Sequence, residues 1–260
     1  MSDDAVIAIA LMQGYFRNKD LKRAFLLVKA NDPFAVKYWL SYGQWIARLH
    51  ALGRQIEALL SSTFATVFGA EHIYIMDSKP IPVCQPIRHG RVILLREDGA
   101  YFGKSSKGWF FGFKLHLIRN IEGRVVNVVL TRGNCDDREG TLLFLPALPA
   151  GRQTCLTSDR RQAGMKMVDG GVSLADLGYR AEDFKDFILE ETGLVVITKD
   201  EVPADEKLFI SQLRQRVETT FSQLWNLFVD RVPARSFRGL WDAILLKLIY
   251  FQWTQKAPLT

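Results

Sequence analysis

Apolar positions follow two different periods along this chain. Up to about Gly69 they recur at helical spacing. Ser2 or Asp3 precedes an apolar run from Ala5, Asp20 precedes Leu21 to Lys29, and Asp32-Pro33 opens a third segment. Ile46, Leu49, Leu52, Ile56, Leu59 and Leu60 then share one helical face. From Glu71 the texture becomes that of strands: His72 to Met76, Trp109 to Ile118, and the valine-rich Arg124 to Thr131, with Asn120-Ile121-Glu122-Gly123 as a hairpin turn between the last two. Further on, Val172 and Leu174 alternate up to Asp176, Arg180 to Glu191 reads as helix, Leu194 to Thr198 as a buried strand, and Glu206 to Phe228 as a long helix. Strands that first pair as a hairpin and then alternate with helices predict a mixed α/β fold, a sheet flanked by helices over residues 71–260, behind a small helical region over residues 1–70.

Charge sharpens this picture. The 260 residues carry 34 Lys and Arg against 28 Asp and Glu, a net charge of +6. Between Lys79 and Arg132, ten basic residues face Glu97, Asp98 and Glu122, so 10 − 3 = +7 is concentrated in one stretch. Lys79, Lys104, Lys107 and Lys114, interleaved with Tyr101, Phe102, Trp109 and Phe110, suit a polyanion with stackable bases. A solvated sheet face backed by aromatic core residues explains the same aromatics. In the helical region, Gln44 and Arg48 stand one turn apart in Tyr38 to Arg48, either as the reading face of a helix-turn-helix or as the solvated side of a packing helix.

Other chemistries find little support. Cys84, Cys135 and Cys155 are far apart, and neither they nor His50, His72, His89 and His116 show metal-ligand spacing. Gly99 to Ser105 has three residues between its glycines where a phosphate loop needs four, and no G-x-S-x-G elbow exists. The apolar runs fall short of the roughly 20 residues that span a bilayer, and the acidic Met1-Ser2-Asp3-Asp4 is unlike a secretory leader, so a cytosolic location is expected.

Three acids remain. Asp77 ends the apolar run Ile73-Tyr74-Ile75-Met76, and Pro80 and Pro82 are expected to close that strand, which puts the carboxylate at the sheet rim. Asp176 follows alternating apolar residues and precedes Gly178. Glu218 lies at the edge of a helical stripe formed by Leu213, Val217, Phe221, Leu224 and Phe228, with Arg214 one turn before it. Each also has a plain explanation, as a turn former or as an i,i+4 ion pair. Together they suit Mg²⁺ or Mn²⁺, hard ions held by carboxylate oxygens, water and substrate phosphate, with two ions serving a phosphodiester. Asp169, before Gly170-Gly171, is the reserve for Asp176.

The order Asp77, Asp176, Glu218 resembles the DDE transposases of bacterial insertion sequences, which have a ribonuclease-H-like catalytic core. The anchors are D-S-K-P-I-P-V at Asp77, F-F-G-F-K-L-H-L from Phe110, L-T-R-G-N-C-D-D from Leu130, A-D-L-G-Y from Ala175 and R-V-E-T-T-F-S-Q-L from Arg216. The resemblance implies that the three acids bind the metal ions. Water then attacks a phosphodiester at the element's end, and the freed 3′-hydroxyl attacks target DNA. It also implies that Arg214 and Arg216 hold DNA phosphates, that the N-terminal helices help recognise terminal inverted repeats, and that a homodimer forms on double-stranded DNA near the bacterial nucleoid. Many relatives carry further residues before the first helix, so the chain is expected either to start late or to lack part of its DNA-end-binding region. The chain departs from the usual pattern at Leu177, where Lys is common, at Asp136, where His is common, and at Ser211 and Trp225, the Tyr and Lys positions of a related signature. A nuclease that cuts without joining and a silent DNA-binding relic therefore stay open.

Overall fold

The computed structural model describes residues 1–17, 20–65, 72–93, 95–143, 161–164, 170–227 and 229–256. Two compact units emerge, one formed by Met1–Thr63 with Gln223–Thr260 and the other by Phe64–Ser222.

The first unit opens with α1 (Asp3–Tyr15), α2 (Leu21–Asn31), α3 (Tyr42–Ala51) and α4 (Gly53–Ala65). Their starts are set by capping side chains: Ser2 Oγ accepts from Ala5 N at 3.3 Å, Asp20 from Lys22 N at 2.8 Å, and Ser41 and Gln44 form a reciprocal capping box. Asp32-Pro33 does not open a helix. Asp32 instead ends α2 in the left-handed region (φ 37°), its carboxylate accepts from Val36 N at 3.0 Å, and the next helix waits for the cap at Ser41. A helix-turn-helix over Tyr38 to Arg48 is likewise not formed, because only its part from Tyr42 is helical.

The second unit is built on β1 (Ile73–Cys84), β2 (Tyr101–Ser105), β3 (Gly108–Asn120), β4 (Val125–Arg132), α5 (Asp137–Leu142), β5 (Arg161–Gly164), β6 (Gly171–Ala175), α6 (Glu182–Thr192), β7 (Leu194–Thr198) and α7 (Lys207–Asn226). The strands form one sheet in the order β5-β4-β3-β1-β6-β7, with β2 also on β3. β6 is parallel to both β1 and β7, and the other pairs are antiparallel. The hairpin turn falls as expected, with Gly123 N donating to Asn120 O at 3.2 Å. A mixed sheet flanked by helices is the arrangement expected from the sequence and is consistent with a ribonuclease-H-like core.

One strand differs from expectation in a way that shapes the site. β1 does not stop at Asp77 but runs through both prolines to Cys84, paired with β3 along Tyr74 to Cys84. Its other neighbour, β6, pairs only with Ile73 to Ile75. Val172 N donates to His72 O, so even-numbered residues of β1 turn their backbone groups toward the β6 side. Pro80 and Pro82 are even. The N–H each lacks belongs to an edge with no partner strand among the described residues, and there proline is tolerated. Asp77 is therefore in mid-strand, yet beside the end of β6, where β1 becomes an edge.

Side-chain alternation then sorts the two sheet faces. Tyr74, Met76 and Ile118 pack with Ala175, Tyr179, Phe184 and Ile188 on one face. On the other, Arg119 donates to Thr220 Oγ1 at 2.7 Å and Lys79 Nζ lies 5.6 Å above the Phe221 ring, so α7 covers the face that carries Asp77. Leu213, Val217 and Phe221 of the expected stripe are buried there, while Phe228 lies outside the described residues.

The chain ends in α8 (Phe237–Lys256), which packs on α1 and α3 in the helical unit. Trp241 Nε1 donates to Glu57 Oε1 at 3.1 Å, and buried Asp242 binds both His50 Nδ1 at 3.1 Å and Arg238 Nε at 2.9 Å.

Candidate active site

Asp77 and Asp176 are brought to one region by the parallel pairing of β1 with β6. Ile75 aligns with Leu174, two residues before each acid. Asp77 is largely buried. Its carboxylate accepts from Ser78 N at 2.7 Å and has Lys79 Nζ at 3.9 Å. Burial pushes its pKa up to about 6. Lys79 and the Ser78 N–H pull it down, while the carboxylates of Asp137 and Asp176 push it up. Asp176 stands at the end of β6, where its carboxylate caps the turn Leu177–Tyr179 by accepting from Leu177 N at 2.8 Å. It also pairs with Arg214 of α7, at 3.1 Å.

Glu218 is exposed on α7 and enters no ion pair or hydrogen bond among the described residues. Arg214, Glu218 and Phe221 fall within about 60° of helical arc, since successive residues turn by about 100°. The first reaches Asp176 and the last lies under Lys79, the neighbour of Asp77. Glu218 thus lies on the side of α7 that turns toward both aspartates. Among the described residues, no three His, Cys, Asp or Glu side chains are gathered closely enough to hold a metal ion. Asp169 lies outside the described residues.

The donor chemistry nonetheless suits a divalent cation. The available groups are carboxylate oxygens, which hard ions prefer. Asp77 is held up near 6 chiefly by burial, with the carboxylates of Asp137 and Asp176 adding to it, and a bound cation would favour its charged form. Asp77 and Asp176 would be its first holders.

A third aspartate, which the sequence reading passed over as a candidate, stands beside them. Asp137, the first residue of α5, accepts at Oδ1 from Ser78 Oγ at 2.6 Å and from Lys114 Nζ at 3.1 Å. A methyl group on Gly178 would sit 3.7 Å from its Oδ2, so this carboxylate also faces the turn after Asp176. Burial would raise its pKa, but Lys114, the Ser78 hydroxyl and His116 outweigh burial and hold it below the usual carboxylate range. His116 is fully buried, which pushes its pKa down to about 4, and its Nε2 is 2.9 Å from Thr131 Oγ1. The signal for Asp137 in the sequence is its place as the last residue of the L-T-R-G-N-C-D-D motif. Asp136 proves to be the cap of α5, accepting from Arg138 N at 2.9 Å.

Several residues expected to touch nucleic acid are engaged within the protein. Lys114 Nζ bonds Asp137 and, at 2.7 Å, Cys135 O, with its side chain only 14% exposed. Gln44 is committed to its capping box, and Arg48 to Asp3 at 2.7 Å and Met1 O at 2.8 Å, which leaves neither as a free reading group. Arg216 is exposed, with one NH1 bond to Ile121 O at 3.2 Å. Lys104 and Lys107, at the β2–β3 hairpin, are exposed, and so are Tyr101 and Trp109, at 54% and 64%. Lys104 stands directly opposite Trp109 in the ladder.

Residues 68–170 match the family model described as Transposase DDE domain. That stretch is similar to transposase DDE domains. The match includes Asp77 and Asp137 and ends before Asp176 and Glu218. No curated protein and no solved structure matches the chain. A DDE domain implies a transposase type of function with DNA as partner, and such domains are in general dependent on divalent metal. No helix among the described residues is long and apolar enough to cross a membrane.

Proposed function

We propose that this protein is a DNA transposase that cuts phosphodiesters at the ends of an insertion sequence and joins the freed 3′ ends to target DNA, using Asp77, Asp176 and Glu218. The observation that carries the reading is the meeting of Asp77 and Asp176 at the edge of β1 left open among the described residues, in a chain whose residues 68–170 match a transposase DDE domain. The position of Glu218, between two α7 residues that reach this edge, supports its role as third acid. Mg²⁺ or Mn²⁺ held by these carboxylates would act as a Lewis acid and lower the pKa of an attacking water. Around it, Lys79 and Arg214 offer positive charge to a phosphate, and Lys104, Lys107 and Arg216 add exposed charge for the duplex backbone. The helical unit would help select terminal inverted repeats, and a homodimer would handle both ends of the element in the bacterial cytoplasm, close to the nucleoid.

A second reading has a specific observation behind it. Arg214 already neutralises Asp176, and Leu177 stands beside it where relatives carry Lys. A silent DNA-binding relic would keep that pair. Incubation with Mg²⁺ or Mn²⁺ and a pre-cleaved repeat end decides among the readings: strand-transfer products mark a transposase, and cutting without joining marks a nuclease. DNA binding with neither product marks the relic. Asp77→Asn, Asp176→Asn and Glu218→Gln are each expected to abolish the products while leaving DNA affinity in place, and retained cutting by any one removes that residue from the site.

A further inference from the structure

The bonds around Asp137 form a short relay to Asp77. Asp137 Oδ1 accepts from Ser78 Oγ at 2.6 Å, and the backbone N–H of the same Ser78 donates to Asp77 Oδ1 at 2.7 Å. Ser78 and Asp77 point to opposite faces of the sheet, as neighbours on a strand must. The hydroxyl is therefore gripped from the α5 side while the amide holds the carboxylate on the α7 side. The grip itself is anchored. Lys114 Nζ ties Asp137 to the Cys135 carbonyl, Asp136 caps α5 just before it, and α5 lies against β3, where a methyl group on Gly140 would fall 2.1 Å from the His116 ring. This matters because β1 has no partner strand on its β6 side past Ile75 among the described residues, so the Ser78 N–H, which turns to that side, bonds the Asp77 carboxylate and not a ladder carbonyl.

We infer that Asp137 and Ser78 are positioning residues that fix the Asp77 carboxylate for cation binding across an edge left open by the end of β6. This rests on the reading of Asp77 as a metal ligand. Lys114 pairs with Asp137 at 3.1 Å and balances its charge. Partners that orient a metal ligand through one bond alter metal affinity by about 10–100-fold when removed.

Mn²⁺ binding to the full chain, followed by the loss of the free-ion electron paramagnetic resonance signal, tests the relay directly. Ser78→Ala and Asp137→Ala should each weaken Mn²⁺ binding by about tenfold or more. Ser78→Thr keeps the hydroxyl and should restore binding to within about threefold of wild type. Because both side chains act in one chain of bonds, the double Ser78→Ala, Asp137→Ala variant should be no weaker than the worse single variant. Circular dichroism and thermal melting identify folded variants, and the Ser78 pair carries the test if Asp137→Ala fails to fold. Wild-type affinity in Ser78→Ala, equal loss in Ser78→Thr, or multiplied losses in the double variant would overturn the relay while leaving Asp77 as a ligand. A wild-type chain that takes up no Mn²⁺ removes the metal reading and the relay with it.

Discussion

At the scale of single residues, Asp77 dominates. Its carboxyl titrates near 6 in the folded chain, because burial and two neighbouring carboxylates outweigh Lys79 and the Ser78 amide. A folded pKa above the unfolded value means that the native state holds the extra proton between about pH 4 and pH 6. Metal-free protein therefore loses stability as pH rises through that window, by about 3 kcal/mol. In chelator-treated samples, Asp77→Asn should melt above wild type at pH 7.5 and level with it near pH 4. Added Mg²⁺ should raise the wild-type melting temperature at pH 7.5 and leave the variant where it was. An equal metal response in both would remove Asp77 from the binding set. The Arg214–Asp176 pair calls for the opposite expectation. Asp176 is 56% exposed, so solvent screens the pair, and Arg214→Ala should cost under about 1 kcal/mol in urea unfolding.

Secondary-structure elements were legible where one force acts alone. β7 falls at Leu194–Thr198 as read, and α6 and α7 begin and end within two residues of their expected limits, because a buried apolar run or a stripe at helical spacing has one stable placement. The failures occurred where local chemistry has two readings. Asp32-Pro33 carries the marks of a helix start, yet the Asp32 carboxylate serves the turn by bonding Val36 N. Two prolines read as the end of β1, yet whether proline ends a strand depends on which side its missing donor faces, and that is settled by a strand about 90 residues away in the chain. Gln44 shows the same ambiguity, since an amide that caps its own helix has the spacing of one that reads DNA. At α5, Gly140 fits the buried His116 ring so closely that a methyl group would lie 2.1 Å from it. Gly140→Ala would gain about 1 kcal/mol in helix propensity, but the overlap with a ring packed in the interior is expected to win. The variant should unfold at lower urea, by roughly 1–3 kcal/mol, and a stabilised variant would show that α5 can move away.

For the molecule as a whole, the concentration of positive charge between Lys79 and Arg132 was plain in the sequence, but its availability was not. Lys114 is held by Asp137 and Cys135, whereas Lys104 and Lys107 remain in solvent on the β2–β3 hairpin. Each exposed cation that meets a phosphate adds about 0.9 to the slope of log affinity against log salt. Lys104→Ala with Lys107→Ala should therefore flatten that slope by about 2, while Lys114→Met should leave it unchanged. An unaltered slope in the double variant would place DNA elsewhere. Asp77, Asp176 and Glu218 were legible only as an order of acids along the chain. The geometry that joins the first two comes from a parallel pairing, and the helix bearing the third is set by Arg119 and Phe221 against the opposite sheet face.

The prolines of β1 carry one more consequence. A bare sheet margin ordinarily invites a strand from another molecule to zip onto it, which is how many sheet proteins aggregate. Pro80 and Pro82 remove two consecutive donors from that margin, so an incoming strand finds no ladder to extend. Among the described residues the gap beside Asp77 thus stays clear of a competing strand, and the same imino acids that permit an unpaired border would leave a way to the carboxylates for the nucleic-acid backbone proposed as substrate.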